Sequence, residues 1–412
     1  MPNIRHLRVV ESVAHNASVS RAAEKLGLTQ PAVSLAIAKL ELMVGQPLFA
    51  RTRSGCYLTS AGEVYLHRVE RFLAQSDRAI SDLHRGEDSH TYVRHVTSAQ
   101  IRCLLAIAAN SSFSQAARAI GVSTTAVQRT ARELETTVRT PLFDSSKHGL
   151  KLNERGIDLA RKLSLALCEI QAAEDDVRFL EGVESGKIVI GTMPMSSDYV
   201  IGATIAEWTS RLPDAHIHLI TAPYNVLIND LRAGVIDLIF GVLRRPDWAV
   251  DLEEEMLFSD PYCIIGRAGH PLAAKPALDV ADLLNYSWIV PREGSPRRKQ
   301  FDSLFERADK SPRISMETSS LSAIRSLIAN SDCLALINKH EVELDARLNR
   351  ISVLHSPADF PSVPKGVTTR LNWLPTQIQQ QFMNLMRKRA NQAALPSDGS
   401  DTMPALDFVA GD

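Results

Sequence analysis

Residues 18–34 read Ser18-Val19-Ser20-Arg21-Ala22-Ala23-Glu24-Lys25-Leu26-Gly27-Leu28-Thr29-Gln30-Pro31-Ala32-Val33-Ser34, and this stretch decides the fold of the front of the chain. Ala22 and Ala23 are small enough for two helices to approach closely at a steep angle, and Gly27 permits the positive φ of the turn between them. Ser20 can cap the first of these helices. Thr29 can cap the second, with Pro31 in its first turn, where a missing N–H costs little. That helix turns Val33, Ile37 and Leu40 inward and leaves Gln30, Ser34, Leu35, Ala38 and Lys39 on other faces. A helix docked in a major groove needs short polar groups near its N-terminus, where the dipole also favours phosphate. Candidate DNA contacts are therefore Ser20, Thr29, Gln30, Pro31, Ser34 and Lys39, of which Gln30 and Ser34 reach base edges or backbone oxygens. An alanine-rich corner with a glycine also occurs in helical proteins that bind nothing, so its surroundings carry weight.

Outward from this stretch, Leu7, Val10 and Val13-Ala14 mark an opening helix. Leu48-Phe49, Gly55 and Leu58-Thr59 suggest a β-wing, whose Arg51 and Arg53 are placed for phosphate. A charged helix with Val64, Val69, Phe72 and Leu73 is expected from Ala61 to about Arg85. The whole pattern then recurs with a period of 94 residues. Ser20-Arg21-Ala22-Ala23 answers to Ser114-Gln115-Ala116-Ala117, Leu40-Glu41 to Leu134-Glu135, and Pro47-Leu48-Phe49 to Pro141-Leu142-Phe143. Gly27, Gly55 and Gly62 return as Gly121, Gly149 and Gly156, and a second charged helix runs from about Glu154 to Glu181. One small domain has been duplicated whole.

The net charge of −1 hides a gradient. Residues 1–86 hold 11 Lys and Arg against 7 Asp and Glu, and residues 87–152 hold 8 against 5. Residues 153–412 hold 27 against 35, so a basic front precedes an acidic rear, and the front would be steered towards phosphate. At 412 residues the chain fits two or three domains. No run of about 18 apolar residues suggests a membrane span. Met1–Arg5 lacks the apolar stretch of a signal peptide, and five scattered cysteines suit neither a disulfide framework nor a zinc site, so a reducing cytoplasm is expected.

Texture changes at the Gly182–Gly186 linker. Beyond it β-branched runs alternate with helical segments: strands at 187–191, 216–221 and 236–241, helices near 200–211 and 225–233. Further strands are expected at 262–266, 287–290, 314–317 and 333–337. This alternation predicts a mostly parallel α/β sheet, with ligands beyond the carboxyl ends of its strands. The loop Thr192-Met193-Pro194-Met195-Ser196-Ser197 opens a helix whose free N–H groups suit a carboxylate. Met193 and Met195 are the kind of residue that more often lines or fills a core. Arg244 or Arg292 could grip a carboxylate in a bidentate way, although loop arginines are usually solvated. No phosphate loop, metal cluster or nucleophile elbow is present, Cys263 and Cys333 sit in expected strands, and His270 before Pro271 looks structural. No enzyme, cofactor or metal is expected.

The segments quoted from Ser18 to Ser34, Pro47 to Arg51 and Leu58 to Gly62 resemble the winged helix of LysR-type transcriptional regulators. Gly186–Gly191, Leu231–Asp237, Gly269–Leu272 and Glu317–Ser320 resemble that family's effector domain. The resemblance implies a winged helix-turn-helix with linker helix at 1–86, a divergent second copy at 92–181, and an α/β effector domain at 187–390. That domain would have two subdomains like periplasmic binding proteins; a disordered tail would fill 391–412. Tyr224 and Asn225 match cleft-facing positions, with Arg292, Gly294 and Ser295 supplying the opposite wall and Thr318 a nearby loop. The effector would be small, a carboxylate-bearing aromatic or a sugar derivative. The second copy departs from the family pattern, having lost the Gln30-Pro31 pair and carrying Ser145 and Lys147 in place of Arg51 and Arg53. It either binds further DNA through Thr124, Gln128, Arg129 and Arg132, or is a degenerate copy kept for dimerisation or spacing. The charged helices are expected to pair between protomers as a homodimer or homotetramer. Double-stranded DNA, a small effector and RNA polymerase are the implied partners. Two other readings remain: a constitutive architectural DNA binder whose α/β half only drives oligomerisation, and an enzyme or receptor whose front half docks to protein.

Overall fold

The computed structural model describes residues 1–83, 95–110, 112–146, 149–195, 198–244, 249–355 and 360–394. Its first unit is α1 (Ile4–Asn16), α2 (Val19–Leu26), α3 (Gln30–Val44), a hairpin of β1 (Phe49–Thr52) and β2 (Gly55–Leu58), and α4 (Ser60–Ser81). The second repeats it as α5 (Ser98–Ala109), α6 (Phe113–Ile120), α7 (Thr124–Val138), β3 (Phe143–Ser146), β4 (Gly149–Leu152) and α8 (Glu154–Leu180). Gly27 and Gly121 both end their helices in the left-handed conformation, as the corner requires. Thr29 caps α3 as expected, accepting from the Ala32 N–H. The cap of α2 is Ser18 and not Ser20, because Ser18 has the extended backbone of a cap while Ser20 already lies in the first turn. α4 stops at Ser81, short of the expected Arg85, and the boundary between copies falls in residues 84–94, outside those described.

The repeat extends to individual hydrogen bonds. Glu41 Oε1 accepts from the Leu48 and Phe49 N–H groups at 2.8 and 3.2 Å, and Glu135 Oε1 from Leu142 and Phe143 at 2.7 and 3.1 Å. Each carboxylate thus pins its wing to its recognition helix. Thr59 and Asn153 both cap the following helix and both donate to the carbonyl opposite, Pro47 or Pro141. Gly62 and Gly156 let the linker helix pass directly under the wing, where a Cβ would collide with the Leu48 or Leu142 carbonyl.

α4 and α8 lie antiparallel against each other within one chain, and a continuous core runs from Ile4 in α1 through Phe72 in α4 to Val177 in α8. The linker helices expected to pair between protomers thus also find partners within the chain, where a covalently attached copy has a high effective concentration.

The rear half is built from β5 (Gly186–Thr192), α9 (Asp198–Arg211), β6 (Ala215–Thr221), α10 (Tyr224–Arg232), β7 (Leu238–Val242) and β8 (Leu252–Arg267). It continues with α11 (Val280–Leu284), β9 (Ser287–Val290), α12 (Pro296–Leu304), β10 (Arg313–Glu317), α13 (Leu321–Ala329), β11 (Leu334–Asn338), α14 (Lys339–Arg347), β12 (Ile351–Leu354), β13 (Ser362–Arg370) and α15 (Gln377–Ala394). Sheet order is β10-β9-β11-β8-β13-β7-β5-β6, with β12 against β8. The sheet is mixed, not mostly parallel. β6-β5-β7 and β10-β9-β11 are parallel sets at either end, while β8 and β13 run antiparallel to their neighbours and join the ends through a shared ladder. α15 continues past the expected boundary at 391 to Ala394, and residues 395–412 lie outside those described.

Gly62→Ala should therefore lower stability by about 2 kcal/mol through forced displacement of the Leu48 carbonyl. Gly202→Ala, in α9 with open space around it, should be neutral or stabilising by up to about 1 kcal/mol. Urea unfolding of the two variants would show the opposite order if the close approach were not real.

Candidate nucleic-acid interface and effector cleft

The front surface follows from the packing beneath it. Val33, Ala36, Ile37 and Leu40 are buried, which turns the other side of α3 outward. Gln30, Pro31, Lys39 and Ser20 are exposed and Ser34 is half-buried at its rim. Thr29 is exposed while capping the helix, so its side chain holds the helix start open towards solvent. Arg51 and Arg53 are exposed on the hairpin beside it. The expected contacts are thus open to solvent or, for Ser34, partly so, and the first turn of α3 adds N–H groups that no residue of the helix itself satisfies.

The second copy makes a comparable face from different chemistry. Val127, Ala131 and Leu134 are buried, and Gln128, Arg129 and Arg132 are exposed, with Thr124 half-buried at the first position of α7. Gln100, Thr125, Gln128, Arg129, Arg132 and Thr136 line one shallow concavity. Arg129 reaches Glu133 at 3.5 Å, but both are well exposed, so the pair does little to neutralise the face. Lys147 lies outside the described residues.

In the rear half, the carboxyl ends of both parallel sets carry the expected ligand loops. Thr192 ends β5 level with Thr221 of β6, their hydroxyls 3.3 Å apart. The loop after β5 then divides its side chains: Met193 packs in the core beside β5, whereas Met195, at φ 62°, packs with Cys263, Ile265 and Ile337 at the other end of the sheet. That loop bridges the two ends, with Pro194 exposed at its crest; Ser196 and Ser197 lie outside the described residues. α10 starts at Tyr224 with no side-chain cap, next to exposed Asn225. The Arg244 guanidinium lies over the Tyr224 ring, 4.3 Å from its centre. Desolvation holds the Arg244 pKa below the usual arginine value and raises that of Tyr224. Among the described residues Arg244 has no carboxylate partner, and the Tyr224 hydroxyl, although buried, has no hydrogen-bond partner.

At the opposite end, Ser295 caps α12 by accepting from Arg298, and Thr318 accepts from the Ser320 N–H. Arg292 is exposed, beside Gly294 at φ 78°. The run Arg297-Arg298-Lys299 is not simply a solvated face. Desolvation takes Arg297 down to about 10, near Tyr262 and Glu341, and Arg298 folds back onto the Pro291 carbonyl and Asp302. Close by, where β8 and β13 cross, Lys365 is buried 2.8 Å from Asp260 and 3.3 Å from Glu341, with His340 2.8 Å from the same aspartate. Sequence reasoning missed this cluster: Val363-Pro364-Lys365-Gly366 shows no alternation and reads as a turn. The Cys263 thiol is pushed up to about 12 by burial, which suits a small hydrophobe.

A pair of exposed helix-turn-helix faces ahead of an α/β body defines a DNA-binding regulator. The LysR substrate binding domain model matches residues 181–391, and the model of the bacterial regulatory helix-turn-helix protein, lysR family, matches twice, at 4–63 and 98–157. The chain belongs to the LysR family of transcriptional regulators. It is 29% identical to the HTH-type transcriptional regulator GalR of Pseudomonas putida over 368 residues, 89% of this chain and 91% of that one. It is 27% identical to CbbR of Xanthobacter flavus, covering 76% of this chain and 91% of that one. Full-length OxyR from Pseudomonas aeruginosa shares the fold, with a TM-score of 0.53 at 19% identity, over 72% of this chain and 95% of that one. These relatives are regulators and not enzymes. No helix among the described residues is long and apolar enough to cross a membrane.

His270 provides a pH test of the body. Its Nδ1 accepts from the Leu272 N–H at 3.2 Å and its Nε2 faces the Asp332 carbonyl at 3.3 Å, an arrangement that suits the neutral ring. Burial lowers its pKa, so the unfolded chain binds the proton more readily. Stability contributed by the neutral ring is present above about pH 6.5 and lost as pH falls from there towards the folded pKa. Chemical unfolding between pH 5 and 8 should show a steeper acid-side loss in the unaltered chain than in His270→Gln. Equal slopes would remove His270 as the cause.

Proposed function

We propose that this chain is a ligand-responsive regulator that docks α3 in the major groove of operator DNA. Gln30 and Ser34 meet base edges there, Ser20, Thr29, Pro31 and Lys39 border the helix, and Arg51 and Arg53 hold phosphates from the wing. The observation that carries this reading is exposed Gln30 in the first turn of a helix whose opposite side is buried, with both wing arginines exposed as well. Thr124, Gln128, Arg129 and Arg132 form a second such surface. The two-ended body, like a periplasmic binding protein, takes a small carboxylate-bearing effector between its parallel sets. Arg244, stacked on Tyr224 and without a carboxylate of its own among the described residues, supplies the anion anchor. Pro194 and Asn225 lie on the same wall, and Arg292, Gly294, Ser295 and Thr318 face them. The protein acts in the cytoplasm as a homo-oligomer, in reach of RNA polymerase.

Effector binding would change the relative populations of two arrangements of the body, and only a difference in affinity for the two can do so. A footprint on the flanking intergenic DNA tests the front half. Gln30→Ala with Ser34→Ala should remove sequence preference at the bases read by α3, whereas Arg51→Ala with Arg53→Ala should weaken all sequences alike and reduce the salt slope by about 2. An unchanged footprint in both variants overturns the assignment. For the rear half, a panel of aromatic and sugar acids should raise the melting temperature of the unaltered chain and not of Arg244→Leu. If none of them shifts either protein, the body is a scaffold and the chain a constitutive DNA binder.

A further inference from the structure

The contacts between α4 and α8 obey a rule that chance packing would not produce. Numbered by the 94-residue repeat, Arg68 is equivalent to Lys162, and Asp82 to Asp176. Arg68 donates to Asp176 at 2.9 and 3.1 Å, and Lys162 donates to Asp82 at 2.7 Å. Each contact is the image of the other when the copies are exchanged, which is the signature of an isologous, two-fold interface. Two further bonds join residues that are each other's equivalents and so lie on the axis itself. Gln75 donates to Glu169 at 3.0 Å, and the Ile4 N–H, at the start of α1, donates to the Ser98 hydroxyl, at the start of α5, at 2.8 Å. The axis therefore passes between the linker helices and between the opening helices of the two copies.

We infer that the two winged units of one chain form an internal pseudo-dimer, so that a single chain carries a complete two-headed DNA-reading unit and addresses two half-sites arranged as an imperfect inverted repeat. The inference rests on the reading of the winged units as DNA-binding proposed above, and adds which heads pair and what they read. Inversion follows from the two-fold relation, since heads so related meet the duplex in opposite directions. Imperfection follows from the faces: Ser34, Leu35 and Ala38 in the first copy stand where the second has Gln128, Arg129 and Arg132. Glutamine and arginine favour adenine and guanine edges in the major groove, so the second half-site should be read by longer, more specific side chains. The apolar stripes that could join two chains, Phe72 and Leu73 on α4 and Leu163 and Ile170 on α8, are already buried in one.

The test uses the full chain and the shortest duplex that binds it at full affinity. One variant disables the first head (Gln30→Ala, Arg51→Ala) and another the second (Gln128→Ala, Arg129→Ala, Arg132→Ala). All five positions are exposed, and circular dichroism would confirm that both variants fold. Each variant should lose about tenfold or more in affinity and protect only half of the footprint, with the two halves complementary. Co-expressing the variants should not restore tight binding, because each chain's pair keeps one dead head. Restoration to the unaltered affinity would show that heads pair across chains and overturn the inference. An unchanged footprint in the second-head variant would overturn it differently, by leaving the second copy without a DNA role. If instead the first-head variant alone binds normally, the DNA-binding assignment of α3 itself has failed.

Discussion

The guanidinium of Arg68 is the point on which the assembly turns. It donates five hydrogen bonds: two to Asp176, one to Glu169, and one each to the carbonyls of Leu374 and Pro375. Its side chain is only 4% exposed, and both carboxylates are nearly as buried. A charge taken this far out of water is tolerable only when every donor is matched, and removing one partner of such a pair costs about 3–5 kcal/mol. Lysine could not substitute, having three donors and no planar fork. Glu169 is held in turn by Arg71 at 2.8 Å and Gln75 at 3.0 Å. One network thus ties the first winged unit, the second, and the segment that opens α15 of the body.

The duplicated units diverge where divergence is physically cheap. Glu41 and Glu135, Thr59 and Asn153, and Gly62 and Gly156 keep the same jobs, because each satisfies buried backbone groups or permits a close approach that the wing cannot lose. The exposed faces of α3 and α7 share almost nothing, since no packing term constrains them. Arg68 and Lys162 show both tendencies at once. Each keeps its mate across the axis, but among the described residues body carbonyls bond the first of them and not the second, and there the longer, forked side chain is found.

Much of this was legible in the sequence, for identifiable reasons. The corner at Gly27, the Thr29 cap, the repeat and the strands of both parallel sets announce themselves through local chemistry and periodicity. The candidate DNA face was equally plain, because it is what remains of α3 once Val33, Ile37 and Leu40 are turned inward. What escaped is non-local. The crossing strand β13 contains Pro364 and Gly366, which argue against a strand, yet β8 on one side and β7 on the other supply the ladder that makes it one. Lys365 becomes a core residue only because Asp260 and Glu341 arrive from elsewhere in the chain. Likewise a charged amphipathic helix shows that it has a partner but not whether the partner is its own repeat. Ser18, not Ser20, caps α2, because two serines two residues apart are equivalent as caps in sequence and differ only in backbone conformation.

The geometry of the seam limits how the body can act on the heads. β13 crosses between the two ends of the sheet, and its last residue, Arg370, donates to the Leu231 and Ile236 carbonyls. Immediately afterwards Asn372, Leu374 and Pro375 present their carbonyls to Arg71 and Arg68. On the other side of the same seam, the Cys168 thiol of α8 meets the Gly234 carbonyl beyond α10, and Asp176 accepts from the Gln377 N–H at the start of α15. A strand spanning both ends of the body therefore leads within a few residues to the guanidinium that couples α4 to α8. These contacts reach α4 through Arg68 and Arg71 and α8 through Cys168 and Asp176, so the body is coupled to both linker helices. Packed interfaces of this kind shift between discrete arrangements more readily than they deform continuously.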